Sequence, residues 1–395
     1  MNIVRAKVKR ELLIWARTSA GYTQDDIARF VNVTEQDVQL WESGRAQPTI
    51  RQLELVAQKV KRPLAALFLQ CAPHEPPPPK DYRRLPASSL GKFSPPTLLA
   101  IREARNIQAQ AVELMDLVGE HAELRIPEFS IRGDAERLAK EIRNTLGITI
   151  QQQMGWPNEY AALREWRESL AGMGVLVIQL SMPRTDARGF SILDDKLSVI
   201  AVSNDDAVVA RIFSVFHEFC HLSLRHPGIS NPAEYLLGSG GPKSIIETFC
   251  NRFAAAFLLP LEDPAILDAL KELAASQPLD EASVAQFARK LKVSKFVVLG
   301  RLLSGSFIDQ SSYERTFSLW SRQASKETLK RRSRGGGPLP HVLSVSERGI
   351  FYSNLVFDAL DSNQISLKDA SRYLSLNFKW LDQARAVLVT GGADA

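Results

Sequence analysis

Ile212-Phe213-Ser214-Val215-Phe216-His217-Glu218-Phe219-Cys220-His221-Leu222-Ser223-Leu224 is the stretch of this 395-residue chain whose reading decides the rest. It is apolar on nearly every turn, which predicts a buried helix over about residues 206–224. Inside it His217 and His221 stand four positions apart, one helical turn, so both imidazoles lie on one face and can reach a single metal ion. Glu218, beside the first histidine, falls next to the coordination position that such a pair leaves open. There a carboxylate can take a proton from water acidified by the metal and hand it to a leaving amine. The ion that suits imidazoles with a carboxylate is zinc, with manganese as the alternative. An H-E-x-x-H pattern also turns up on surface helices whose histidines are satisfied by solvent. Against that stand the apolar flanks and a total of only six histidines in the chain.

A site built on two imidazoles needs a third ligand, and the helix expected over residues 244–258 offers one. Apart from Arg252, Glu247 is its only charged residue. A carboxylate in so apolar a helix needs a partner, and a metal held by His217 and His221 would supply one, giving a His₂Glu site with an open fourth position. The competing reading puts Glu247 in solvent near the helix start, where the dipole favours acids. Asn251, one turn on, is placed to orient a histidine from behind. Ala254, Ala255 and Ala256 are small enough to let the two helices pack closely. His226 either polarises a substrate carbonyl or is a cation favoured at a helix C-terminus. His74, His121 and His341 have no constellation around them.

Outward from these helices, residues 175–180, 190–193 and 197–202 read as short strands, with Asp194, Asp195 and Lys196 as a turn. Residues 197–202 are expected at the sheet edge, where an extended peptide could pair with them. Helices are expected at 98–118, 135–146 and 159–173, and a Gly/Ser-rich loop at 238–241. Pro73 and Pro76 to Pro79 mark a semi-rigid, extended boundary. Beyond Pro264 the chain reads as helical. Residues 282–303, turning at Val293-Ser294-Lys295, and residues 365–381 share a helix–turn–helix rhythm. Between them Lys326, Lys330, Arg331, Arg332 and Arg334 form a basic run, ahead of a hinge at Gly335-Gly336-Gly337. The run is either a nucleic-acid contact or a solvated loop. The expected fold class is mainly α with a small β-sheet (α+β). Its parts are a helical bundle at 1–70, a proline-rich linker at 71–97, a metal-site domain at 98–264 and a helical region at 265–395.

In the first part, Thr23-Gln24-Asp25-Asp26-Ile27-Ala28 opens a helix with Thr23 as N-cap, and Thr34 caps a second helix at 35–42. Gly44 stops that helix, and Pro48 starts a new segment. With Trp41-Glu42-Ser43-Gly44 and Pro48, this resembles the XRE/Cro-like helix-turn-helix. The resemblance implies that the second helix enters the major groove and presents Thr34, Glu35, Gln36 and Gln39. It further implies that Gln24 meets a phosphate and that Arg17 and Arg45 hold the DNA backbone. Residues 1–70 carry 11 basic against 7 acidic side chains, which permits DNA binding. Glu35, Asp37 and Glu42 oppose it, so a protein-contact module of the same fold stays open. Operators usually require two copies, so a homodimer is expected, on a surface the sequence does not mark.

The H-E-x-x-H helix followed by E-x-x-x-N-x-F-A-A and Leu258-Leu259-Pro260 resembles the ImmA/IrrE metallopeptidases. So do Arg188-Gly189-Phe190-Ser191 with the strand after it, and Asp81-Tyr82-Arg83-Arg84 behind the prolines. The resemblance covers roughly residues 81–260 and implies a zincin-like core and a gluzincin-like metalloendopeptidase. In it His217, His221 and Glu247 hold zinc and Glu218 is the general base. It also implies a protein substrate, a helix-turn-helix repressor, cleaved in a stress or phage- and mobile-element-borne response. Cys250 departs from the family, whose members often carry Ala there. The alternative from another class is a non-catalytic, antitoxin-like DNA-binding regulator with a structural metal site. A deaminase or nuclease is disfavoured, because no C-x-x-C and no second acidic cluster accompany the histidines. A net charge of +5 and a charged fraction of 24% are those of an ordinary globular protein. The three cysteines, Cys71, Cys220 and Cys250, make a poor disulfide set. With no secretory h-region and no membrane-length apolar run, they point to the cytoplasm.

Overall fold

The computed structural model describes residues 5–77, 80–81, 93–120, 125–226, 228–230, 245–276, 278–331 and 337–389. They fall into two compact units, residues 1–78 with 86–103 and residues 79–85 with 104–395. The readings placed on Pro78, Pro79, Tyr82, Arg83, Arg84, His121, the loop at 238–241, Arg332, Arg334, Gly335 and Gly336 lie outside the described residues, as do the side chains of Lys326, Lys330 and Arg331.

In the first unit the helices are α1 (Arg10–Ser19), α2 (Gln24–Val31), α3 (Glu35–Glu42) and α4 (Ile50–Lys59). Thr23, Thr34 and Thr49 each accept a backbone N–H from three residues on, while that residue's side chain returns the bond. These capping boxes satisfy end groups that would otherwise be orphaned and fix where the helices start. Gly44, at φ 77°, turns the chain out of α3, a backbone state that a side chain would strain. Leu13, Ala16, Ile27, Val38, Trp41, Leu53 and Val56 close a small core.

The second unit opens with β1 (Lys80–Asp81). It takes in α5 (Pro95–Val118) from Ala104 onward, then α6 (Ala135–Leu146), α7 (Ile150–Gly155) and α8 (Glu159–Ala171). Next come β2 (Val175–Leu180), β3 (Gly189–Ile192), β4 (Ser198–Ser203), α9 (Val208–Ser223), β5 (Gly228–Ser230) and α10 (Ile245–Leu258). The five strands form one mixed sheet in the order β1-β5-β3-β4-β2. β4 runs parallel to β2 and antiparallel to β3, and β3 is antiparallel to β5. The expectation that residues 197–202 form an edge is therefore corrected. β4 pairs along both sides, so its N–H and C=O groups are already engaged and no peptide can add there. A short apolar run signals a strand buried on both faces but does not report its place in the strand order.

The two long apolar helices α9 and α10 pack on each other beside this sheet. Phe216 stacks on Phe257 at 4.0 Å between ring centroids, and Phe219 stacks on Phe253 at 6.3 Å. Ala254, Ala255 and Ala256 are buried, as the close approach requires. This face continues one core that also takes in Trp166, Leu170, Ile212 and Leu258.

The chain ends in α11 (Pro264–Ala275), α12 (Glu281–Lys290), α13 (Lys295–Ser304), α14 (Gln310–Arg331), α15 (Pro340–Arg348), α16 (Ile350–Asp361), α17 (Leu367–Tyr373) and α18 (Leu381–Val389). α12 and α13 do make a helix–turn–helix, but α13 buries Val297, Val298, Leu299, Arg301 and Leu302. α17 and α18 repeat the rhythm at the surface, with Phe378 between them 57% exposed.

One buried arginine ties this tail to the sheet. Arg167 on α8 donates to the carbonyls of Val177, Ser346 and Glu347. The last two lie in the final turn of α15, where unpaired carbonyls and the helix dipole favour a cation. Burial pushes the Arg167 guanidinium down to about 10, still far above neutrality. Arg167→Ala is expected to lower the stability of this unit by about 3 kcal/mol, because it leaves a cavity and unpaired carbonyls together. Thermal unfolding checks this, and a shift under about 1 kcal/mol would show that α15 docks without it.

Candidate metal centre

The site is made by α9 and α10. On α9, residues i and i+4 put His217 and His221 one above the other, and on α10 the same spacing aligns Glu247 with Asn251. His217, His221 and Glu247 are fully buried and converge. His217 Nε2 lies 3.2 Å from Glu247 Oε2, His221 Nε2 lies 3.1 Å from Oε1, and the two Nε2 atoms are 3.1 Å apart. The reading of Glu247 as a solvent-facing acid is excluded by its burial.

The other nitrogen of each ring fixes its direction. His217 Nδ1 meets the side-chain oxygen of Asn251 at 2.9 Å. His221 Nδ1 donates to the backbone carbonyl of His226 at 3.1 Å. That carbonyl is within reach because Arg225 takes the left-handed conformation at φ 56° and turns the chain back under the helix end. His226 thus serves through its backbone. Its imidazole is exposed.

With hydrogens on Nδ1, each ring turns an Nε2 lone pair toward Glu247 and toward the other ring. Neither carboxylate oxygen of Glu247 has a well-aligned donor, close as the imidazoles are. Three buried side chains whose acceptor atoms face one another call for a cation between them. A tetrahedral ion with ligand distances of about 2.0–2.1 Å separates its ligands by about 3.3 Å, close to the spacing found. The residues fit a divalent metal of the zinc type.

Glu218, one residue after His217 on α9, meets the sheet at β3. It is fully buried and accepts a hydrogen bond from Ser191 Oγ at 2.9 Å. Gly189 lies beneath it, and a Cβ there would come within 3.2 Å of Glu218 Cγ and 3.3 Å of Oε1. The sequence offers Gly189 and Ser191 no role by motif. Their signal is the strand period of two, which sets both on one face of β3, and it becomes legible only once β3 is known to lie over α9. Cys220 and Cys250 touch within the helix pair, and burial followed by that contact pushes the Cys250 thiol up, so it stays protonated.

In the first unit the residues expected at DNA have varied surroundings. Gln36, Gln39 and Arg45 are exposed. Thr34 is engaged at its cap, its hydroxyl meeting both the N–H and the carboxylate of Asp37. Gln24 donates to Glu42 at 2.7 Å, and Arg17 grips the same buried carboxylate by two bonds of 2.6 and 2.8 Å. Arg17 and Glu42 thus act as a strut between α1 and α3, with Gln24 tied to it.

A small mixed sheet backed by a two-helix His₂Glu centre defines a class of metal-site domain. Residues 171–303 match the family model Peptidase_M78, described as IrrE N-terminal-like domain, and residues 13–67 match the model described as Helix-turn-helix. The chain therefore joins a helix-turn-helix to an ImmA/IrrE-like domain. None of the curated proteins matches the chain. Among the described residues, no helix is long and apolar enough to cross a membrane.

Proposed function

We propose that this chain is a zinc-dependent endopeptidase whose fused module binds DNA and whose substrate is a regulatory protein. Residues 1–70 act on DNA, 98–264 carry the peptidase and 265–395 support it. The observation that carries this is the convergence of His217, His221 and Glu247, with neither Glu247 oxygen well paired, beside a fourth buried group, Glu218. The target, a helix-turn-helix repressor in a stress or phage-borne response, follows from likeness to the ImmA/IrrE family alone.

In this mechanism His217, His221 and Glu247 hold the ion. Asn251 and the His226 carbonyl keep the Nε2 lone pairs inward, which fixes tautomer and ring direction. When bound, the ion supplies Lewis acidity, making water acidic and a carbonyl electrophilic. Glu218 takes the proton from water and returns it to the leaving amine nitrogen, as its place one residue after His217 allows. The apolar core around the four side chains keeps bulk water off them, which strengthens each electrostatic contact. The test is cleavage: cells carrying Glu218→Gln should accumulate a protein that cells with the native chain degrade, and identical proteomes would count against the peptidase.

A second reading is favoured by one observation. All four groups are inaccessible to solvent, and closed sites are the mark of structural metals. In that reading the chain is a DNA-binding regulator whose metal stabilises the fold, and Glu218→Gln leaves regulation intact.

For the DNA module, exposed Gln39 and Arg45 are assigned different work. Arg45→Ala should weaken binding to every sequence alike and lower the slope of log K against log salt by about 1. Gln39→Ala should cost about 1–3 kcal/mol on the operator alone. Binding measured across a salt series with operator and scrambled duplexes separates them, and equal losses on both duplexes for Gln39→Ala would refute base contact.

A further inference from the structure

We propose that Ser191 is a positioning residue for Glu218, and that Gly189 leaves the same carboxylate room that a side chain would crowd. This rests on the peptidase reading above and assigns residues of β3 to it.

Gly189 and Ser191 are two apart on one strand, so they share a face, and that face looks onto Glu218. The two residues do complementary things. Ser191 Oγ–H donates to Oε2 at 2.9 Å, with both side chains fully buried. At Gly189 an added Cβ would meet Oε1 and Cγ of Glu218 and also the Ala201 carbonyl, at 3.2–3.3 Å. Ala201 belongs to β4 and is paired with Phe190 in the ladder, so its carbonyl cannot withdraw. The carboxylate would have to give way instead. One residue thus anchors the carboxylate and the other clears its place. The consequence is orientation: with Oε2 tied to the sheet, the carboxylate plane is set by β3, not by α9 alone. A long flexible acid that must hand a proton across a fixed distance gains from being held, since a misplacement of about 1 Å can cost about 100-fold in rate. The contact is with Glu218 only, not with the ligand trio, so the metal affinity should not depend on it.

The experiment compares the zinc-loaded full chain with its S191A, S191T, G189A and E218Q forms. It reads hydrolysis of fluorescein-labelled casein, zinc content, and the place of the Glu218 side chain in crystals of each. Expected are a kcat loss of about 10–100-fold for S191A and G189A, with KM and zinc content unchanged and most of the rate regained in S191T. The crystals should show the carboxylate displaced in S191A and G189A and in place in S191T. An S191A form as fast as the native chain while E218Q is inactive would overturn the positioning role and leave the peptidase reading standing. If native and E218Q chains alike leave casein intact, the peptidase reading loses its support, and the crystals decide the rest. A displaced carboxylate in S191A then upholds the anchor, and an unmoved one overturns it.

Discussion

The full chain carrying Glu218→Gln should still bind one zinc ion and should hydrolyse its substrate about 10²–10⁴-fold more slowly. The amide has the shape of the acid and can still accept from Ser191 Oγ, which now holds the carboxylate at 2.9 Å. Ser191 therefore keeps its acceptor and the fold should stand. The loss is chemical, because an amide cannot take a proton from water and return it to an amine. Zinc content by metal analysis, with kcat and KM measured apart, checks this. A fall in kcat at constant zinc is the expected sign of a group used in the transition state. Unchanged kcat would remove Glu218 from the mechanism and move the chain to the structural-metal reading. Loss of zinc would mean that Glu218 supports the ligand set instead.

Glu247→Ala is expected to abolish stoichiometric zinc and to unsettle the second unit. It takes away one of three ligands and leaves two buried imidazoles facing each other at 3.1 Å with no counter-charge. Structural zinc sites release about 10–16 kcal/mol over four ligands, so one ligand is worth at least about 100-fold in affinity. An ion present at about 1,000 times its dissociation constant stabilises the native state by about 4 kcal/mol. Chelation of the native protein should therefore lower the melting temperature of the second unit by on the order of 10 °C. The first unit, which lacks ligands, should not respond. In Glu247→Ala the chelator should have no further effect, since the ion is already lost. Differential scanning calorimetry with and without chelator makes the comparison. A chelator shift in Glu247→Ala as large as in the native chain would mean that the ion sits elsewhere.

Local order carried much of this protein. The apolar runs with histidines or an acid at helical spacing were enough to give α9 and α10 and to bring His217, His221, Glu247 and Asn251 into candidacy. Threonine caps at 23 and 34 and the stop at Gly44 gave α2 and α3, since caps and glycine conformations are set within a few residues. Val175–Leu180 coincides with β2 for the same reason, a β-branched run after a glycine.

What the sequence alone determined is which groups exist and which face of their own helix or strand they take, because the periods of 3.6 and 2 are local geometry. Tertiary structure decided which faces meet. It placed β4 between β2 and β3, not at an edge, and sank α13 into the core. It turned the chain at Arg225 so that a carbonyl of His226, not its ring, steadies His221. It also laid β3 over Glu218, so that Ser191 and Gly189, to which the sequence assigned no role, surround that carboxylate. Strand order and helix packing depend on which distant surfaces bury the most apolar area together, and no short window of residues contains that comparison.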